Sequence, residues 1–287
     1  RALPDSGLVQ STMAIGQVLV LGVLVMLPLS AADEVEQRAE RTLREARAVR
    51  ERMGEQDVIS GAIVALLLER PATPPGWELG YRQTAAFAAL PGDSCQVLVG
   101  RDGRFLVALV DAAGHGTASA LQALRLRFEI AALWRGGAEV ATIADVVSRS
   151  VAEMDTIATG VLLAVAADGS SCEYVNAGHP PVIALTGAST DTWGRTAPLF
   201  GVSAERHQVQ QRSLGRGALL ALYTDGITEA RSPQGRALLG AGAIEHAIRV
   251  HGPAGAQAIA DACIDQALGH SHTRLRDDAL ALVLRHG

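Results

Sequence analysis

Five aspartates stand where a strongly apolar run begins or ends. Asp111 closes "RFLVALVD", Asp225 closes "ALLALYTD", Asp277 and Asp278 precede "ALALVLR", and Asp93 sits in "LPGDSCQ" just ahead of another apolar run. A carboxylate at the margin of a buried segment is costly to desolvate unless something compensates it. Singly, each has an ordinary explanation as a turn, a loop or an ion pair at a strand start. Gathered at the ends of central strands, they repel one another and their pKa values rise, unless a cation sits among them. Oxygen donors with no converging His or Cys cluster select a hard divalent ion, Mg2+ or Mn2+, over Zn2+. The glycines of "DAAGHG", Gly114 and Gly116, let the backbone come close, so the Ala112 carbonyl joins the candidate donors. Two such ions between shared carboxylates make a hydrolytic site for phosphoryl groups.

The elements that must position these residues lie in the last two hundred residues. "WELGYRQT", "CQVLVG", "RFLVALVD", "GVLLAVAAD", "CEYVNAG", "PVIAL", "HQVQQRSL", "ALLALYTD" and "ALALVLR" read as strands, several joined by short turn signals such as "RDGR" and "ADGSS". Helical patterns cover about 117–135, 139–154, 241–250 and 253–268. The helices come in sequential pairs between groups of strands, which disfavours a parallel βαβ sheet and predicts an α+β layered domain.

Upstream, the composition changes twice. Residues 8–32 carry no charge, and a span from about 10 to 31 is long enough to cross a hydrocarbon core of ~30 Å. A membrane anchor and a pair of strands left from an upstream sensor domain both stay open for this apolar segment, 1–32. Residues 33–71 are rich in charge and helix formers, with Val35, Ala39, Thr42, Ala46, Val49, Met53, Gln56, Ser60, Ile63 and Leu67 at heptad spacing. A coiled coil that pairs two chains into a homodimer and a single solvated helix are the two alternatives for this linker. "RPATPPGW" then stops the helix and opens the domain 72–287.

The chain of 287 residues has a net charge of −5 and no basic run, which argues against nucleic acid as a partner. All 25 basic residues are arginine, so single arginines are weak functional signals; Arg82 and Arg231 are the two weighed as phosphate partners. Cys95, Cys172 and Cys263 are far apart without metal-ligand spacing, as small buried thiols of a reducing compartment would be.

In order, "PGD", "VDAAGHGTASA", "NAGHPP", "LYTDGITEAR" and "RDDALALVLR" resemble the signatures of the metal-dependent, type-2C protein phosphatases in their bacterial SpoIIE-like branch, with 18 residues from Asp93 to Asp111. The resemblance spans roughly 75–285. It implies an α+β fold, a four-layer α-β-β-α sandwich of two antiparallel sheets flanked by helix pairs. It also implies Mn2+- or Mg2+-dependent hydrolysis of phosphoserine or phosphothreonine in a cytoplasmic catalytic domain, with a phosphorylated anti-sigma-factor antagonist as the usual substrate.

Carried onto this chain, the resemblance makes Asp111 the bridge between two cations, with the Ala112 carbonyl on one of them. Asp93 falls on one metal, and Asp225 and Asp277 on the other. Asp111 and Asp225 then act catalytically through a metal-activated water. Gly114 and Gly116 shape the turn, and Asp278 supports. In "NAGHPP", His179 is either a proton donor to the leaving oxygen or, with Asn176, a loop-bonding residue, and the second is favoured. His115 is assigned to packing or loop bonding in preference to metal ligation. The chain departs from the branch where "PGDSCQ" replaces "GGDFYD", so Ser94, Cys95 and Gln96 stand in for two aromatics and an acid, and where Ala112 and Leu280 replace a common glycine and threonine. Every ligand carboxylate is kept. An active phosphatase and a catalytically weak, phosphatase-like binding module are therefore the two functional classes.

Overall fold

The computed structural model describes residues 61–84, 90–114, 116–187, 189–202, 206–233, 237–272 and 275–287, all within one compact unit, Ser60–Gly287. The apolar segment 1–32, the heptad seam before residue 61 with its dimer expectation, and His115 lie outside the described residues. Among the described residues, no helix is long and apolar enough to cross a membrane.

Among the described residues the chain runs β1 (Trp77–Thr84), β2 (Asp93–Val99), β3 (Phe105–Ala112), α1 (Thr117–Arg135), α2 (Val140–Glu153), β4 (Ala158–Val165), β5 (Ser171–Ala177), β6 (Val182–Thr186), β7 (Ser189–Trp193), β8 (Gln210–Ser213), β9 (Leu219–Tyr223), the single-turn α3 (Asp225–Thr228), α4 (Gly242–His251), α5 (Ala256–His270) and β10 (Ala279–His286). The strands form two five-stranded antiparallel sheets, β1-β10-β9-β6-β7 and β2-β3-β4-β5-β8.

Alternation of side chains along each strand builds the layers. In β3, Phe105, Val107 and Leu109 enter the core between the sheets, together with Cys95 and Val97 of β2, Leu163 of β4, Leu220 and Leu222 of β9, and Leu280, Leu282 and Leu284 of β10. Their neighbours Leu106, Ala108 and Val110 face the other way, against Leu126, Ile130 and Trp134 of α1 and Val147 and Val151 of α2. On the far side, Ala279, Ala281 and Val283 pack on Ile244 and Ile248 of α4 and on Ile259, Cys263 and Ile264 of α5. These strands are apolar on both faces because both faces are covered, giving the four-layer α-β-β-α sandwich. The three cysteines are free and buried, and burial pushes each thiol up to about 12.

Residues 61–67 are helical, and Ile63 and Leu67 bury against Ala112 and against Ala120 and Ala123 of α1. Arg70, just beyond, donates to the Leu79 carbonyl (3.2 Å) and to Gln257 Oε1 (2.9 Å), which fixes this stretch to β1 and α5. The end of the expected linker is thus packed into the compact unit.

Two local differences from the sequence pattern have plain causes. β7, "STDTW", carries four exposed polar or small residues before its buried Trp193, so no apolar alternation marks it. Asp225 does not end a strand: β9 stops at Tyr223, and Asp225 begins α3 after Thr224.

Candidate active site

The same alternation carries the carboxylates to one end of the sandwich. Asp93 continues the side of β2 occupied by Cys95 and Val97, and Asp111 continues the side of β3 occupied by Val107 and Leu109, so both belong to the face between the sheets. They are direct partners in the antiparallel register, Asp93 opposite Asp111, and the next pair across β3 and β4 is Asp111 opposite Thr159. From the other sheet, Asp225 issues two residues after the end of β9, and Asp277 and Asp278 come just before β10.

Their mutual influence is plain in the electrostatics. Burial, then the charges of Asp225, Asp277 and Asp278, push Asp111 up to about 7. Burial and the neighbouring Asp111 and Asp278 charges hold Asp93 well above the usual carboxylate range, with the Thr224 hydroxyl acting in the opposite direction. Asp225 is raised by burial and by Asp277 and Glu229. One oxygen of Asp93, Oδ2, is buried with no hydrogen-bond partner. Such a group calls for a ligand or a proton. Asp277 is exposed at the mouth. Among the described residues, no three His, Cys, Asp or Glu side chains are drawn together into a ready-formed metal cage.

The backbone around the cluster is closely specified. The Ala112 N–H donates to the Gly92 carbonyl (3.2 Å), and a Cβ on Gly92 would come within 3.1 Å of the Ala112 oxygen, so that oxygen lies beside the turn carrying Asp93. Gly114 and Gly116 have φ of 98° and 83°, with open space where a Cβ would be; conformation, not crowding, requires glycine there. Gly226 has the opposite reason: its Cβ would sit 1.9 Å from the Asp278 carbonyl oxygen, where α3 meets the start of β10.

Asp278 is a clasp between sheets. Its Oδ2 accepts the Gly92 N–H at 2.7 Å, and its own N–H donates to Asp277 Oδ1 at 2.8 Å. Thr224, to which the sequence drew no attention, accepts the Leu280 N–H (3.0 Å) and donates to the Asp278 carbonyl (3.3 Å), fixing the start of β10 to the end of β9. Its only signal in the sequence was its place directly before Asp225.

His179 lies at the same end and is buried. Its Nε2 faces the Tyr223 carbonyl (3.1 Å), which can only accept, so Nε2 carries the proton and Nδ1 accepts from Thr159 Oγ1 (2.8 Å). Burial lowers its pKa to about 4, so the ring is neutral and joins β4 of one sheet to β9 of the other. Asn176 orders the same loop, accepting the His179 N–H (2.9 Å) and donating to the Pro180 carbonyl (3.3 Å). Arg82 is engaged elsewhere, on Asp265 of α5 at 2.8 Å, while Arg231 lines a cavity beyond α3.

Residues 101–287 match the family model described as Stage II sporulation protein E (SpoIIE). The chain belongs to the SpoIIE family. This SpoIIE-family domain has the PP2C phosphatase fold. It superposes on the RsbU and RsbW domains of a Mycobacterium tuberculosis protein with a TM-score of 0.65 and 23% identity, over 75% of this chain and 61% of that one. It matches the SiaA-PP2C domain of Pseudomonas aeruginosa with a TM-score of 0.66 and 18% identity, over 85% and 99% of the two chains. The catalytic domain of the serine/threonine phosphatase PstP, solved with two manganese ions, matches with a TM-score of 0.53 and 16% identity, over 73% and 97%. No curated protein sequence matches the chain.

Proposed function

We propose that the domain hydrolyses phosphoserine or phosphothreonine in a protein substrate, using two divalent cations, Mn2+ or Mg2+. Asp93, Asp111, Asp225 and Asp277 and the Ala112 carbonyl would hold the cations. The observation that carries this reading is the buried, mutually repelling carboxylate group at the end of the sandwich, with Asp93 Oδ2 unpartnered. Residues with only oxygen donors fit hard cations, and a positive charge among them would offset the burial and the mutual repulsion that raise Asp93, Asp111 and Asp225. Bound there, divalent cations supply charge for the phosphoryl oxygens and make water nucleophilic at neutral pH.

The protein's own residues hold this arrangement. Asp93 and Asp111 are carried on paired strands whose apolar bodies are fixed in the core, so their carboxylates have little freedom to drift apart. Asp278 and Thr224 hold the turn bearing Asp277 against the turn bearing Asp93. His179, neutral and engaged at both nitrogens, serves as a tie between the sheets and not as a proton donor. PstP, of the same fold, was solved with two manganese ions, which supports the metal assignment. The natural substrate we propose is a phosphorylated anti-sigma-factor antagonist, following the family and the RsbU domain of the Mycobacterium neighbour.

The test is phosphate release from a phosphoserine peptide, wild type against Asp111→Asn, with Mn2+, with Mg2+ and with EDTA. Wild-type turnover that needs the cation and falls at least ~100-fold in Asp111→Asn supports the reading. A folded wild-type chain that binds the phosphopeptide without turning it over favours the binding-module alternative.

A further inference from the structure

Beside the carboxylates, the segment after α3 and the segment before β10 enclose a cavity of about 640 Å3. Arg231 and Pro233 line it from the first segment, Leu275 and Arg276 from the second. The first wall is a folded-back loop: Ser232 N–H donates to the Ala237 carbonyl, Leu239 N–H to the Ala230 carbonyl, and Gly240 N–H to the Thr228 carbonyl. His270 at the end of α5 reaches that loop through Nε2 at 3.1 Å from the Ala237 oxygen, so the two walls are joined. Leu275 is buried, whereas Arg231 and Arg276 are exposed, and among the described residues neither guanidinium has an acidic partner. In the sequence, stretches 231–240 and 270–276 contain Arg231, Arg236, Arg274 and Arg276 and no Asp or Glu.

The cavity's place along the chain gives it meaning. One wall begins six residues after Asp225, and the other ends on the residue before Asp277. A phosphorylated side chain held between those two aspartates would have its flanking residues on the side of one wall or the other. At ~3.3 Å per extended residue, side chains two to four positions away reach about 7–13 Å along the surface. Over the carboxylate cluster an acidic flank is repelled. Over the two arginines it meets planar guanidinium groups that match carboxylates through paired hydrogen bonds.

We infer that this arginine-lined cavity receives the acidic side chains flanking the phosphorylated residue of the protein substrate, which makes Arg231 and Arg276 specificity determinants. The inference rests on the phosphoprotein reading of the neighbouring carboxylates. It is tested by binding, apart from turnover. Fluorescent peptides with a non-hydrolysable phosphonate analogue of phosphoserine, flanked on either side by two glutamates or two glutamines, are titrated with the full chain and Mn2+ and followed by anisotropy. At low salt the glutamate peptide should bind about tenfold tighter than its glutamine twin on one flank, and the preference should shrink as salt rises. R231Q alone should reduce it about threefold and R231Q/R276Q should abolish it, while R101Q, at the remote turn between β2 and β3, keeps it. Equal affinity for the two peptides on both flanks, or a preference that survives R231Q/R276Q, would overturn the inference. Wild-type turnover of p-nitrophenyl phosphate is measured alongside. Its absence would count against the hydrolase reading, while the anisotropy still decides the cavity's role.

Discussion

Replacing Asp111 by Asn should stabilise the metal-free chain while removing its response to Mn2+. Asp111 is carried from its ordinary value of 3.8 up to about 7 by burial and by three neighbouring aspartates. The folded state therefore binds this proton more tightly than the unfolded state does, and the cost of ionising it in the fold grows as pH rises between those two values. Linkage puts that cost near zero at pH 3, about 2 kcal/mol at pH 5 and about 4 kcal/mol at pH 8. Asn has nearly the same shape and no charge, so Asp111→Asn should raise the melting temperature of the EDTA-treated chain by about 5–10 °C at pH 8, and much less at pH 5. With Mn2+ the proposed metal assignment predicts that the order reverses, because cations bound only by the folded state would stabilise the wild type by mass action and the variant would lack one of their donors. Differential scanning fluorimetry at pH 5 and pH 8, with EDTA and with a Mn2+ series, reads all four conditions. A metal-free Asp111→Asn chain less stable than wild type at pH 8 would refute the account of Asp111 as a charge held against repulsion. An equal Mn2+ shift in both proteins would place the cation elsewhere.

Three further outcomes follow from the packing. Gly226→Ala forces a methyl group to 1.9 Å from the Asp278 carbonyl oxygen, and should lower stability by about 3 kcal/mol in urea unfolding and weaken the Mn2+ response with it; an unchanged midpoint would mean α3 does not press on β10. His179→Phe leaves the Tyr223 carbonyl and the Thr159 hydroxyl without their buried partner, at about 2–4 kcal/mol, and should leave the shape of the pH–rate profile intact, whereas loss of an alkaline limb would restore His179 as a proton donor. Leu109→Ala, in the core directly behind Asp111, should cost about 3–5 kcal/mol, read by the same unfolding assay; a cost under about 1 kcal/mol would show that the sheets close over the gap.

Where side chains alternate between two covered faces, the sequence was easy to interpret. β3, β9 and β10 are bounded by turn residues and carry unbroken apolar runs, Phe105–Val110, Leu219–Leu222 and Ala279–Leu284, and Thr117–Arg135 forms one helix just where its composition says it should. What escaped was set by partners distant in the chain. β7 is an edge strand whose polar residues face water on most of its length, so only its pairing with β6 makes it a strand. Thr224 matters because Leu280 and Asp278 lie across from it, 56 and 54 residues away, and no local pattern announces that. The carboxylates themselves were visible, but the opposition of Asp93 to Asp111 is a matter of strand register, which a sequence pattern constrains only through its faces. The arginine-lined cavity was hidden for another reason: in a chain whose basic residues are all arginine, Arg231 could be weighed as a phosphate partner only singly, and Arg276 stands out beside it only once the fold brings their two loops together.

The altered "PGDSCQ" stretch shows how strand parity separates a change near the carboxylates from a change to them. Asp93, Cys95 and Val97 share the face between the sheets, so the side chain that replaces an aromatic there, Cys95, fills core behind Asp93 and makes no polar demand on it. Gln96 stands on the opposite face, buried against α1, where its Nε2 donates to the Arg127 carbonyl at 3.0 Å. Arg127 in turn donates to the Cys95 carbonyl and pairs with Glu69 at 3.0 Å, so β2, α1 and the stretch after residues 61–67 are held by one polar set. An acid at position 96 would meet that carbonyl with an acceptor instead of a donor, and the amide is the group that fits. The departure therefore retunes how β2 is fastened to α1, while the face that carries Asp93 toward Asp111 keeps its carboxylate and its register.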